Sequence, residues 1–342
     1  NSMKHYFNQW SYCHPYIEDF RNSIINYSKV DLNWFFDQWL ETTKNIDYNI
    51  VGVEQTIEDS VYNIIFERKG LMQMPLDFTV YSKNGGTQDF HIPNTWFVKE
   101  TKAKVLPRWI GWDEKLNKRY EVKIKVNGDL KNIKIDPSGR MADINLLDNS
   151  LKTPRVLRLD SKINTFPNRF QYVMSIRPDI WYNNYDGVKL GAHLEGGYLR
   201  TKHLMNLDVW VNTKVGKGAI RPIAYAGAPY YVFNFRHNYR NTMDVWFKNG
   251  TWGYDARFLD GLWLASAFID KKVTDKFSLN LAYKWMKRNN ISDLEYLHYK
   301  SDWENTQANG SLIFTANYQN GKNKWNENLT VQVRTSAFTA ST

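Results

Sequence analysis

The chain has 342 residues, a formal net charge of +10 and an aromatic content of 15% that includes 14 tryptophans. Its length suits two or three domains, and the single cysteine, Cys13, excludes an internal disulfide framework. Lysine and arginine are spread over every segment without a phosphate-cradling glycine loop or a nucleic-acid-binding motif, so no nucleic-acid partner is expected, and no apolar run is long enough for a membrane-spanning helix.

The first elements carry a helical period. Met3, Tyr6, Phe7 and Trp10 share one helical face. After a break at His14, Pro15 stands where a first-turn proline belongs, and Ile17, Phe20, Ile24 and Tyr27 form the next stripe. Asp31 is an expected N-cap for a third helix, whose Leu32, Phe35, Phe36, Trp39 and Leu40 follow at i, i+3, i+4, i+7 and i+8. Three short amphipathic helices cannot bury all these side chains against one another. Leu32, Phe35, Phe36 and Trp39 are therefore domain-packing residues awaiting a large partner, expected upstream.

Two runs, YFNQWSYCHPYIEDF at Tyr6–Phe20 and DLNWFFDQWL at Asp31–Leu40, resemble the end of the helical catalytic domain in zinc aminopeptidases of the gluzincin class, the aminopeptidase N-like family. The resemblance implies that residues 1–45 are the tail of a peptidase-like catalytic domain and that the chain is the C-terminal part of a longer protein. Gluzincin chemistry needs a His-Glu-x-x-His helix carrying two zinc ligands, a glutamate as third ligand and a tyrosine on the oxyanion. His5, His14, His91, His193, His203, His237 and His298 include no such pair, so no catalytic, cofactor-binding or metal residue is assigned. The resemblance implies zinc in the parent protein and none held by these residues. Enzyme status is left open. Glu18 with Asp19, and Asp143 with Asp148, are read as capping and turn residues, since no nucleophile or metal set accompanies them.

From about residue 46 the period becomes two. Tyr62, Ile64 and Phe66 form one alternating set, Leu76, Phe78 and Val80 a second, and Val122, Ile124 and Val126 a third. Turns are signalled at Lys69-Gly70, Asn84-Gly85-Gly86, Asn127-Gly128 and Asp136-Pro137-Ser138-Gly139. An antiparallel β-sandwich over 46–150 is expected. The segments Gly70–Gly86 and Ile133–Asn145 resemble the sandwich that follows the catalytic domain in the same family. Met72 and Met74 are read as packing residues, and His91 as a surface or core histidine rather than a metal ligand. Trp109 and Trp112, flanking Gly111, are candidate ligand-stacking residues.

Beyond a polar boundary at 150–165, strands lengthen. Phe277, Leu279, Leu281, Tyr283 and Trp285 oppose Ser278, Asn280, Ala282 and Lys284. Phe170, Tyr172, Met174 and Ile176 alternate in the same way, as do Leu190, Ala192 and Leu194, then Leu207, Val209 and Val211, and finally Leu329, Val331 and Val333. About ten segments of roughly ten residues match the length a tilted strand needs to cross a bilayer. Trp181, Tyr182, Tyr185, Tyr230, Tyr231, Trp252, Tyr254, Trp285 and Tyr296 gather near strand ends, as interfacial girdles do. Ile176–Tyr198 resembles the opening strands of outer-membrane surface-antigen barrels.

The expected fold is mainly β: a short α-helical segment, the sandwich, and an outer-membrane antiparallel β-barrel over 151–342. Because the chain stops at Phe338-Thr339-Ala340-Ser341-Thr342 without a terminal aromatic, that barrel is expected to be incomplete. The expected role is scaffold and anchor for a surface-anchored aminopeptidase-like protein in the outer membrane of a Gram-negative bacterium. Its partners would be the upstream catalytic domain, outer-membrane lipids and other outer-membrane proteins. The alternative is a non-enzymatic outer-membrane binding or transport component that recognises glycans or lipids through exposed aromatics.

Overall fold

The computed structural model describes residues 1–96, 98–110, 117–160, 167–183, 187–215, 232–243, 249–259, 261–288, 309–320 and 327–334. The chain divides into two compact units, Asn1–Pro154 and Arg155–Thr342. Strand dominates both, with three helices at the start.

Helix α1 spans Ser2–Trp10, α2 Ile17–Ser28 and α3 Asn33–Leu40. Helix α2 begins later than the proline suggests: Tyr16 is its N-cap, and Pro15 lies outside the helix. The Tyr16 N–H donates to Asp19 Oδ2 at 2.8 Å, so a first-turn acid closes this end. Helix α3 likewise starts with Leu32 as N-cap, one residue beyond the expected Asp31. Asp31 still serves the first turn, its Oδ1 accepting from the Asn33 N–H at 3.0 Å. Phe36 is buried, with Phe20 of α2 edge-on at 5.7 Å. Gln38 ties α3 to the β-structure, its Nε2 donating to Gln73 O and its Oε1 accepting from Gln73 N.

The first unit continues with β1 (Tyr48–Gln55), β2 (Val61–Arg68), β3 (Leu76–Ser82), β4 (Thr87–Ile92), β5 (Lys104–Val105), β6 (Arg119–Lys125) and β7 (Leu130–Ile135). One sheet has the order β1-β2-β6 and a second β5-β4-β3-β7. All pairs are antiparallel except the short β4–β5 contact. The two sheets share one core: Ile64 and Phe66 from the first meet Phe78, Val80, Phe90, Ile133 and Ile135 from the second, with the Phe66 and Phe78 rings 4.8 Å apart. Burying each such side chain contributes about 1.5–3 kcal/mol. Met72 and Met74 pack on this core. His91 is buried in it, with Nδ1 2.7 Å from Asp77 Oδ1.

The second unit is a single sheet of ten strands: β8 (Arg155–Leu159), β9 (Tyr172–Asn183), β10 (Gly187–Tyr198), β11 (Lys202–Asn212), β12 (Phe233–Met243), β13 (Gly250–Leu259), β14 (Leu262–Lys272), β15 (Phe277–Arg288), β16 (Asn309–Asn320) and β17 (Glu327–Arg334). From β9 to β17 each strand pairs antiparallel with the next. Strand β8 is the exception, lying parallel to the first half of β9. The spatial order equals the chain order, and among the described residues no pairing closes the sheet on itself.

Candidate functional site

Period-two alternation and unbroken antiparallel register give the large sheet two chemically opposite faces. Residues paired across antiparallel strands project to the same side. The first row thus runs Ile180, Leu190, Val211, Phe233. Others run Ile176, Leu194, Leu207, His237, Ala256, Ala265, Trp285, and Trp252, Ile269, Leu281, Phe314. His237 lies within this largely apolar surface, its ring against Tyr254 at 5.4 Å, while Asn241, Lys271 and Lys287 project to the same side near its margins.

These side chains are exposed: Ile180 at 65%, Leu190 at 48%, Leu281 at 44% and Phe314 at 42%. Along β14 the alternation is complete, with Trp263, Ala265, Ala267 and Ile269 exposed while Leu264, Ser266, Phe268 and Asp270 are partly covered. With strands about 4.8 Å apart and on the order of 30 Å long, nine strands present on the order of 1,000 Å² of such surface. Water-facing apolar patches rarely exceed a few hundred Å².

Two groups of aromatic rings stand out on this face. Phe233, Phe235, Phe258 and Trp263 lie toward the β13–β14 turn, with Phe258 and Trp263 4.7 Å apart and Phe235 and Trp263 5.9 Å apart. Tyr254, at the middle of β13, and Trp252 and Tyr239 form the second group, with Tyr239 5.3 Å from Trp252 and stacked on Tyr254 at 5.8 Å. Ala256 and Ala265 sit between the clusters. Of the expected girdle residues, Tyr185, Tyr230, Tyr231 and Tyr296 lie outside the described residues, and for Leu329, Val331 and Val333 only the backbone pairing is described.

The opposite face is polar and internally paired. Arg177 meets Asp160 at 2.9 Å, His193 pairs with Asp208, and Asp255 receives Arg257 and, at 3.5 Å, Arg236. Asn206 donates to Asn238 Oδ1 at 3.0 Å. Gly191 has a specific task here. It lies in register between Asp179 and Trp210, and the Trp210 indole donates to Asp179 Oδ2 at 2.7 Å. A Cβ at Gly191 would stand 2.4 Å from both the indole Cδ1 and the Val209 carbonyl oxygen, so only glycine leaves room for the indole to cross.

A second surface belongs to the helices. Phe36 turns inward, whereas Trp39 and Leu40 of the same stripe are exposed at 42% and 43%, and Phe35 and Leu32 are half-buried. On α1, Met3 and Phe7, one turn apart, are exposed at 61% and 71%, and α1 has no buried residue.

Trp109 is half-buried against the core of the first unit. Its ring contacts Tyr48 at 5.5 Å and Tyr120 at 5.4 Å, and its Nε1 donates to Asn117 O at 2.7 Å. Trp112 and Gly111 lie outside the described residues. Asp143 and Asp148 serve the base of β1. Asp143 is buried and accepts from Tyr48 N at 3.0 Å, Asn145 N at 2.8 Å and Asn149 Nδ2 at 3.1 Å, and burial pushes its carboxyl up to about 6. Asp148 is paired with Lys69 at 2.7 Å. Glu18 and Asp19 occupy the first turn of α2.

No three His, Cys, Asp or Glu side chains converge as a metal site among the described residues. Cys13 is exposed. The paired polar side chains, the two faces of Gly191 and the inward turn of Phe36 leave little trace in sequence, because each depends on which strand or helix stands opposite. Compared with known proteins, the chain matches no family model and no curated sequence.

Proposed function

We propose that residues 155–342 belong to an outer-membrane β-barrel that anchors the protein, and that residues 1–154 are a scaffold of helices and a β-sandwich carrying a domain upstream. The observation that carries the anchor is the exposed apolar face of the large sheet with its two aromatic clusters. A bilayer satisfies that face as water does not. Strand β14, of 11 residues, is about 33 Å long and at a tilt near 40° covers about 25 Å of membrane normal, the height of the apolar band of such barrels. The paired polar face then lines the interior. Closure needs strand pairings beyond those described.

The two sheets of the first unit, facing each other over one core, support a sandwich. The exposed Met3, Phe7, Trp39 and Leu40 support a docking role for the helical layer. The resemblance of Tyr6–Phe20 and Asp31–Leu40 to the end of an aminopeptidase N-like catalytic domain makes such a domain the proposed occupant. Zinc and the peptidase chemistry would then belong to that domain, since this chain contains no His-Glu-x-x-His.

Fractionation of the intact protein tests the anchor. It is expected in the outer-membrane fraction, resistant to alkaline carbonate and released only by detergent. Recovery in the soluble fraction would refute the anchor. Mass spectrometry of the residues preceding Asn1, with zinc analysis of the intact protein, tests the cargo; an upstream sequence lacking His-Glu-x-x-His would refute the peptidase assignment while leaving the anchor standing.

A further inference from the structure

The parallel strand β8 adds charged side chains to the polar face of the large sheet. Its Arg158 stands in register with Ser175 of β9, which pairs in turn with Glu195 of β10. All three project to the same side and line one cavity of about 400 Å³. Two long charged side chains thus flank a short hydroxyl, leaving a notch with a positive wall, a negative wall and a polar floor. Charged groups nearby are already matched, Asp160 with Arg177 and His193 with Asp208. Among the described residues Arg158 and Glu195 enter no ion pair, and Arg158 Nε is covered without an acceptor. A guanidinium and a carboxylate left unmatched in one cavity favour a ligand that brings both complementary charges.

The adjacent row shapes the rest of the ligand. Val173 and Gly197 pair across β9 and β10, and Leu204 of β11 lies beside Gly197, where a Cβ would stand 3.2 Å from Leu204 Cδ2. These three line the same cavity, so an apolar recess opens over the bare glycine next to the charged notch. Neighbouring strands are about 4.8 Å apart, which sets Arg158 and Glu195 about 10 Å apart across Ser175. A hydrogen bond of about 3 Å at each charge leaves about 4 Å between the ligand's own charges, the short span of a free amino acid. From this we infer that the cavity binds a small zwitterion, an α-amino acid with an apolar side chain. Its carboxylate meets Arg158, its ammonium meets Glu195, and its side chain enters the recess between Val173 and Leu204. The site belongs to the second unit alone and goes beyond the anchoring role, which it does not depend on.

The test is equilibrium dialysis of the full protein in detergent micelles against radiolabelled leucine, with leucinamide and isocaproate as competitors. Leucinamide lacks the carboxylate and isocaproate the ammonium, so each should compete at least about 10-fold more weakly than unlabelled leucine, the loss of one charge-assisted contact. Arg158→Gln should abolish the preference for leucine over leucinamide, and Glu195→Gln the preference over isocaproate, with the strand signal in circular dichroism retained in both. The competitor series needs no variant, so it decides the matter even where a substitution unfolds the sheet. Absence of saturable leucine binding overturns the proposal. Isocaproate competing as well as leucine reduces the cavity to an anion site, and leucinamide doing so reduces it to a cation site; either result overturns the zwitterion. Unchanged preferences in both folded variants place the binding on other residues and overturn this site.

Discussion

Placing one charge on either side of a single strand separates a lipid-facing sheet from a water-facing one. Ala267 is the central residue of β14, exposed and flanked by Tyr254 and Tyr283 on the apolar face. Ser266, its neighbour, projects to the polar face between Asp255 and Lys284. If the apolar face meets lipid, Ala267→Arg puts a guanidinium near the bilayer midplane at a cost of about 2–4 kcal/mol. Ser266→Arg puts the same group beside a carboxylate and costs within about 1 kcal/mol, the ordinary range for a tolerated polar site. In water the order collapses, because an arginine on an exposed strand changes stability by only about 0.5 kcal/mol. The assay is reversible guanidinium unfolding of the protein folded into lipid vesicles. A cost for Ala267→Arg equal to or below that for Ser266→Arg would refute the assignment of faces.

Three further outcomes follow from local geometry. Phe78→Ala removes a ring that is 1% exposed and packed on Phe66 and Phe90; pulse proteolysis of the full chain in urea should show the first unit weakened by about 3–5 kcal/mol. Gly191→Ala should cost about 1–3 kcal/mol, because the methyl displaces the Trp210 indole from Asp179; an ordinary strand glycine would instead gain stability on this change, so a gain in vesicle unfolding would contradict the crossing. Asp143 holds its proton more tightly when folded, with its carboxyl raised from 3.8 to about 6. Its protonation therefore stabilises the first unit fully below about pH 4, and that stabilisation is lost as pH rises through about 6, by at most roughly 3 kcal/mol. Urea midpoints measured between pH 4 and pH 7 should fall with rising pH, and Asp143→Asn should flatten that slope; an unchanged slope would show that another group sets it.

Much of the large sheet was legible from periodicity alone. Leu279, Leu281, Tyr283 and Trp285 share a face because a strand has period two and nothing along β15 breaks it. The three helices were legible for the same reason, at period 3.6. Their ends were less so. Pro15 suits a first-turn position, yet the cap chosen is Tyr16, because its N–H reaches the Asp19 carboxylate. The stripe Leu32 to Leu40 reads as one face, but the structure divides it: Phe36 meets Phe20 across the helix pair, while Trp39 remains exposed. Sequence spacing reports which side chains share a face, not which neighbour covers each. Parallel pairing of β8 with β9 and the Trp210–Asp179 contact across Gly191 are long-range registers with no local signal. Trp109 illustrates the same limit, since two tryptophans flanking a glycine carry no mark of the Tyr48 and Tyr120 rings that receive one of them.

The central claim is that the apolar face of the large sheet is in contact with lipid. Spin labels placed one at a time along Leu262–Lys272 in vesicle-embedded protein would read this directly through collision with oxygen, which concentrates in the bilayer, and with a water-soluble nickel chelate. Oxygen-accessibility maxima are expected at 263, 265, 267 and 269, alternating with minima at 264, 266, 268 and 270. Maxima for the nickel chelate at 265 and 267 would place that face in water and contradict it.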